Sequence, residues 1–140
     1  TLFRSSGHFL IHYDNTGEHA PSQSNLDGNN IPDYIDEVGI IADSSRHVLV
    51  DLLGFLPEIS DADGVYDIYI QDMGPYYYGL TVFDDQTGAP PGPSYMKIDN
   101  EYEEGEYFIP GINTMKLTVA HEFFHAVQIF LCIYHQSVTT

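Results

Sequence analysis

The chain contains a single cysteine, Cys132, in 140 residues. One thiol cannot form an intramolecular disulfide, and it cannot supply a zinc cluster of the CxxC type. We therefore expect the fold to depend on the packing of apolar side chains or on bound metal ions.

Basic residues are almost as scarce as cysteine. The chain has four basic and 21 acidic residues, which gives a formal net charge of −17. The basic residues are Arg4, Arg46, Lys97 and Lys116. A surface this negative repels phosphate backbones and anionic membrane surfaces, so we expect no nucleic-acid partner. The same excess of acid suits divalent cations, salt-rich surroundings or an extracellular medium, and charge alone does not choose among these.

Long apolar runs are also absent. No stretch approaches the roughly 18 residues that a membrane span needs, and the N-terminus lacks the charged and then apolar pattern of a signal peptide. We expect a soluble chain without a membrane partner, either cytoplasmic or already processed. Because 43% of the residues are apolar and 14% aromatic, a disordered chain is excluded, and the length suits one domain.

Strand and helix patterns follow one another along the chain. Alternating apolar residues between turn signals predict four short strands, and helical spacing predicts two long helices. This order predicts a single α+β domain over residues 1–140, in which a small twisted mixed sheet of about four strands carries a long backing helix and a second helix. The predicted elements are strand 7–13, helix 31–53, strands 65–71, 79–83 and 94–99, and helix 113–134.

The second helix contains an HExxH motif, from His121 through Glu122 to His125. Two histidines four residues apart on an α-helix are separated by about 6 Å of rise and roughly 40° of rotation, so both imidazoles can reach one metal ion. Glu122 then lies beside the metal, where a carboxylate can take a proton from a zinc-bound water and pass it to a leaving amine. The motif predicts His121 and His125 as metal ligands and Glu122 as the catalytic residue of metal-assisted amide hydrolysis.

The same five-residue pattern also arises by chance in helices whose histidines lie at the surface or in a satisfied core. Here the residues around the motif, from Leu117 to Leu131, are apolar almost all round the helix, as expected of a helix buried beneath a cleft. This context favours the metal site.

The sequence HEFFHAVQ at residues 121–128 resembles the active-site helix of zincin metallopeptidases, more specifically secreted bacterial and archaeal enzymes of gluzincin type. Other segments agree with the N-terminal subdomain of such enzymes, and the resemblance covers nearly all of residues 8–131. These segments are a Phe-x-Ile-His-Tyr-like opening strand, the helix start Gly-Asn-Asn-Ile-Pro-Asp-Tyr-Ile-Asp, the strand Tyr-Asp-Ile-Tyr, and Ser-Tyr-Met-Lys-Ile-Asp-Asn before the motif helix.

The resemblance implies a secreted zinc metalloendopeptidase domain that acts on peptide or protein substrates. It implies that His121 and His125 bind Zn²⁺ and that Glu122 is the general base and acid. It further implies that strand 94–99 is a sheet edge, against which a bound peptide lies antiparallel and extended through backbone hydrogen bonds.

The third zinc ligand departs from the family pattern. A gluzincin takes it from a glutamate on a later helix, and no acidic residue follows Glu122 in this chain. The metzincin extension does not fit either, because Gln128 stands where a glycine is needed and Leu131 where the third histidine is needed. His135 is the one late candidate, and it could join the metal only if the helix broke near Cys132; otherwise it is an ordinary exposed histidine.

Catalytic zinc sites usually have three protein ligands and one open position. We therefore expect that the chain is a truncated form of a longer peptidase, completed by a C-terminal segment, or that a second chain completes the site. For the chain by itself we expect weak activity or none.

A second group of donors surrounds Gly28. It has the oxygen ligands and the glycine turn of a calcium loop, although its spacing is not that of an EF-hand. The alternative is a polar turn whose side chains cap the backing helix. If Ca²⁺ binds there, the chain could instead be an acidic structural or interaction module with a vestigial HExxH motif. The candidate calcium ligands are Asn25, Asp27, Asn29, Asp33 and Asp36.

Overall fold

The computed structural model describes residues 1–84, 92–102 and 111–138, with side chains as far as residue 129 in the last range. Within these ranges the chain forms five strands and two α-helices, and a π-helical segment, His47–Leu52, continues the first helix. The elements are β1 Leu2–Ser6, β2 Phe9–Tyr13, α1 Asp33–Arg46, β3 Tyr66–Gln71, β4 Gly79–Phe83, β5 Ser94–Asp99 and α2 Ile112–Val138.

The five strands form one mixed sheet in the order β1-β2-β3-β5-β4. The three central strands are parallel to one another, and the two outer strands pair antiparallel with their neighbours. The two helices contact each other; α1 also contacts β1 and β2, and α2 contacts β4 and β5. Both helices therefore pack on the same face of the sheet, and the predicted α+β class is confirmed.

The core lies between this sheet face and the two helices. Because side chains alternate between the two faces of a strand, every second residue of β2, β3 and β5 points toward the helices and is buried. Phe123 of α2 sits at the centre, with its ring edge-to-face against Phe9 at 5.5 Å and Tyr66 at 6.2 Å between centroids. These aromatic contacts fix the motif helix against the sheet.

The strand count differs from the sequence prediction. The four predicted strands are present, but β1, Leu2–Ser6, was not predicted. Its first three residues, Leu2, Phe3 and Arg4, are exposed or half-buried, so the strand lacks the buried alternation on which the prediction rests. Its partner β2 supplies the pairing that holds it in the sheet.

The prediction that strand 94–99 forms an edge of the sheet was wrong. Strand 94–99 is β5, and it is hydrogen-bonded on both sides, to β3 and to β4. Within the described ranges, the sheet edge near the motif helix belongs instead to β4, because the chain turns outward after β3 and returns through β5 toward the centre. The order of strands in a sheet depends on contacts between distant segments, so local patterns did not define it.

In the part of the chain that the structure describes, three of the four basic side chains form ion pairs that join different parts of the fold. Arg4 of β1 donates to Asp36 of α1 at 2.8 Å, Arg46 of α1 donates to Glu58 at 2.8 Å, and Lys116 of α2 lies 3.1 Å from Glu37 of α1. The guanidinium of Arg4 occupies the space beside Gly39, where a Cβ atom would come within 1.8 Å of Nη1. A larger residue at position 39 would therefore displace the guanidinium of Arg4 from its present position.

Neither helix in the described part of the chain combines the length and the hydropathy that a bilayer-crossing segment needs.

The phenol of Tyr66 supports a prediction about alkaline pH. Burial raises the pKa of Tyr66 above its ordinary value, which is about 10. Above that pH the unfolded chain loses the phenol proton while the folded chain keeps it, so the free energy of unfolding falls as pH rises. Urea unfolding between pH 8 and pH 11 should show this loss, and Tyr66→Phe should make it shallower.

Tyr102 has a pKa raised by burial in the same direction, so part of the alkaline slope should persist in Tyr66→Phe. An unchanged slope in that variant would contradict the burial of an un-ionised Tyr66 phenol.

Candidate functional site

The exposed face of α2 carries the two histidines of the motif. Leu117, His121 and His125 follow one another at intervals of four residues and are exposed, whereas Val119 and Phe123 are fully buried. The helix is apolar in sequence almost all round, but the burial expected from that pattern is confined to one side. Packing on a single sheet face buries one side of the helix and leaves the histidine stripe open to solvent.

The two imidazoles converge on one point. Their Nε2 atoms lie 3.0 Å apart, and the rings are nearly perpendicular, with centroids separated by 4.6 Å. Two nitrogens bound tetrahedrally to one zinc ion at the usual bond lengths lie about 3.3 Å apart. The rings of His121 and His125 therefore point as two ligands of one zinc ion would, and they fit the metal as half of its coordination shell.

Glu122 lies between the histidines in sequence but faces the sheet. Its side chain is buried, with 8% of the residue surface exposed. The hydroxyl of Thr81 on β4 lies 2.8 Å from Oε2 of Glu122 and 2.7 Å from its main-chain oxygen. The carboxylate is thereby held between the helix and the outermost strand.

A cleft of about 610 Å³ opens beside the motif. Leu117 and Thr118 of α2 form one wall, and Tyr78 and Gly79, at the start of β4, form the opposite wall. His121 and Glu122 both contribute to the lining, so a molecule in the cleft meets the imidazole and the carboxylate together. A cleft of this size can admit a segment of peptide.

The outer side of β4 offers backbone groups to a partner. Asp99 donates its N–H to the carbonyl of Tyr78, and Asp84 donates to the carbonyl of Pro93, so the even-numbered residues of β4 bond to β5. In an antiparallel ladder the alternate residues then direct their N–H and C=O groups away from the neighbouring strand. These are Gly79, Thr81 and Phe83, and among the described residues no strand pairs with that side.

The close approach of β4 to α2 depends on Gly79. A Cβ atom at this position would lie 2.6 Å from Cγ2 of Thr118, 3.1 Å from Cγ of Glu122 and 3.2 Å from the carbonyl oxygen of Lys97. Any larger residue would therefore push the strand away from the helix. Sequence reasoning missed Gly79 and Thr81; the one local signal was a glycine inside a strand pattern, which often marks a close backbone contact.

A third protein ligand is not supplied by the described side chains. Within them, no group of three or more His, Cys, Asp or Glu residues is arranged to hold a metal ion. The side chain of His135 lies outside the described residues. Its backbone belongs to α2, which continues without a break from Ile112 to Val138, so His135 is about 15 Å further along the helix axis than His125. His135 could reach the metal only if the helix broke near Cys132, and α2 has no break there.

The predicted calcium residues lie near one another: Asn25, Asp27 and Asn29 are in the loop before α1, and Asp33 and Asp36 are in the first turn of that helix. Asn29 contacts both Asp27 and Asp36, at 2.9 Å and 2.7 Å from its side-chain nitrogen, and Asn25 accepts the N–H of Gly28. Asp33 accepts the N–H of Leu26 and the hydroxyl of Ser24. These contacts form a polar turn before α1, but no side-chain hydrogen bond caps the helix at its N-cap residue, Pro32, so the predicted capping role was wrong. Calcium binding at this loop stays a prediction, and titration with Ca²⁺ measures it.

Comparisons of this chain with models of known protein families, with curated proteins and with solved structures found no match.

Gly79→Ala tests the contact between β4 and α2. In an ordinary strand position this change stabilises slightly, because alanine loses less backbone freedom on folding. Here we expect the free energy of unfolding to fall by about 1–3 kcal/mol, as in overpacked cores. Urea denaturation measures it. Adding Thr118→Ser removes the Cγ2 atom and should recover part of the loss; a neutral or stabilising Gly79→Ala would refute the close contact.

Proposed function

We propose that the chain is a zinc-dependent metalloendopeptidase domain of zincin type, with the site at the junction of α2 and β4. The convergence of the His121 and His125 Nε2 atoms to 3.0 Å carries this proposal. At this distance two neutral rings can also share one N–H···N hydrogen bond. Zinc is favoured because neutral imidazole is a common zinc ligand and the buried Glu122 carboxylate belongs to the same helical turn.

Zinc held by the two histidines would supply Lewis-acid activation of a water molecule and of the scissile carbonyl. The proton transfers would be carried out by a side chain of the protein. Glu122 lines the same cleft as His121, where its carboxylate can accept a proton from the attacking water and deliver it to the leaving amine.

The edge of β4 fits a peptide substrate. The outward peptide groups of Gly79, Thr81 and Phe83 can pair with an extended chain, which would lie antiparallel to β4 across the cleft. Backbone pairing selects for an extended peptide and is largely indifferent to its side chains. The peptide-binding strand that the family resemblance implies is thus reassigned from strand 94–99 to β4.

A third ligand from outside the described side chains is part of this proposal. A segment that follows the motif helix, or a second chain, would supply it from the open side of the histidine stripe. Extracellular action is also proposed, because it agrees with the family resemblance and with the formal charge of −17.

Zinc binding tests the metal site directly. After dialysis against a trace of Zn²⁺, we expect about one zinc per chain by elemental analysis, and loss of this zinc in His121→Ala and in His125→Ala. His8→Ala is the matched control, because His8 is an exposed histidine at the turn between β1 and β2. Zinc that survives both motif substitutions would place the metal elsewhere and refute the site.

Glu122→Gln separates metal binding from hydrolysis. The amide keeps the size of the side chain but cannot accept a proton, so zinc content should stay the same. Hydrolysis of a fluorescently labelled unfolded protein by the zinc-loaded chain should fall by about 100-fold or more. Equal turnover by Glu122→Gln would exclude Glu122 as the general base, and a zinc-loaded wild-type chain that never hydrolyses the substrate would count against a complete active site in this chain.

A further inference from the structure

We propose that Thr81 is the positioning residue for Glu122, which couples the peptide-binding edge of β4 to the catalytic carboxylate; this inference rests on the proposed function. The first observation is the pair of contacts from the Thr81 hydroxyl, 2.8 Å to Oε2 of Glu122 and 2.7 Å to the main-chain oxygen of the same residue. A hydroxyl carries one hydrogen, so this donor is directed into the small space between the two oxygens.

The second observation concerns the other carboxylate oxygen. Among the described residues, Oε1 of Glu122 has no hydrogen-bond partner. It is also not fully buried, since Arg4 Nη1 is the described side-chain atom that is fully buried without a partner. It is therefore the oxygen left for water or substrate in the cleft. Holding Oε2 fixes the direction in which Oε1 points, and a free glutamate side chain would otherwise populate several rotamers.

The third observation is the position of Thr81 on the strand. Its side chain faces α2, while its own N–H and C=O point to the open edge of β4, since Val82 and Leu80 belong to the pairs bonded to β5. One residue thus contacts the base through its side chain and would contact the substrate through its backbone. The distance between the bound peptide and the carboxylate is then set within a single residue, without a flexible loop between them.

The neighbouring positions cannot replace this contact. Gly79 has no side chain and leaves no room for one, and Leu80 points away from the helix. Thr118 lies beside Gly79 on α2, but its hydroxyl bonds to the main-chain oxygen of Thr114. Among the described residues, Thr81 is therefore the donor to the Glu122 carboxylate.

Kinetics of the zinc-loaded chain test the proposal. Thr81→Val keeps the shape and the backbone edge but removes the hydroxyl, so we expect kcat to fall by about 10- to 100-fold, as small misplacements of catalytic groups do, with KM nearly unchanged. Thr81→Ser restores the hydroxyl and should recover most of kcat. A similar loss in both variants, or an unchanged kcat in Thr81→Val, would overturn the positioning role.

Ser94→Ala is the matched control. Ser94 is a buried hydroxyl on the adjacent strand β5, and it bonds to the Tyr66 hydroxyl at 2.8 Å. Its removal should lower stability without changing kcat. A loss of kcat in this control as large as that in Thr81→Val would show that strand stability, and not the Glu122 contact, governs turnover.

A double-mutant cycle gives a readout that does not need turnover. The unfolding free energies of the wild type, Thr81→Val, Glu122→Ala and the double variant should be non-additive, because the carboxylate part of the contact exists only when both residues are present. Additive effects would overturn the contact itself. A clear coupling together with an unchanged kcat in Thr81→Val would instead identify a purely structural bond; it would overturn the positioning role and leave the proposed zinc site of His121 and His125 standing.

Discussion

The packing of the edge strand β4 against the motif helix is the constraint on which the candidate site depends. It is possible because Gly79 has no side chain where the strand crosses Thr118 and Glu122. The same contact brings the Thr81 hydroxyl to the Glu122 carboxylate and places the free backbone of β4 along the cleft. A larger residue at position 79 would push β4 away from α2, and so would separate the strand edge from both the Glu122 carboxylate and the two motif histidines.

Local patterns predicted most of the secondary structure. The strands β3, β4 and β5 and both helices were placed within a few residues, because their alternation and helical spacing lie in short stretches of sequence and are bounded by glycine, proline and aspartate. The convergence of His121 and His125 was likewise predictable, since one helical turn fixes it. What failed was non-local: β1 depends on pairing with β2, and the edge position of β4 depends on the insertion of β5 beside β3.

The site itself divides in the same way. The motif predicts the histidines and Glu122 from five adjacent residues, but the Thr81 hydroxyl reaches Glu122 across 41 positions of sequence. No periodicity connects the two, and a threonine in a short strand is ordinarily a residue with good strand propensity. The exposure of the histidine stripe was also missed, because apolar residues on several sides of a helix do not reveal that only one side meets the sheet.

Three ion pairs join β1, α1, α2 and Glu58, and they bear on how the stability of the fold changes with ionic strength. They engage Arg4, Arg46 and Lys116, so nearly all of the positive charge in the chain is already committed to holding elements together. Most of the 21 acidic groups are left to repel one another. Dissolved salt weakens the few attractions and the many repulsions alike, and with acids so far in excess the relief of repulsion dominates. We therefore expect the folded domain to gain stability as the medium becomes more saline, which is the opposite of what the same ion pairs would cause in a protein of balanced charge.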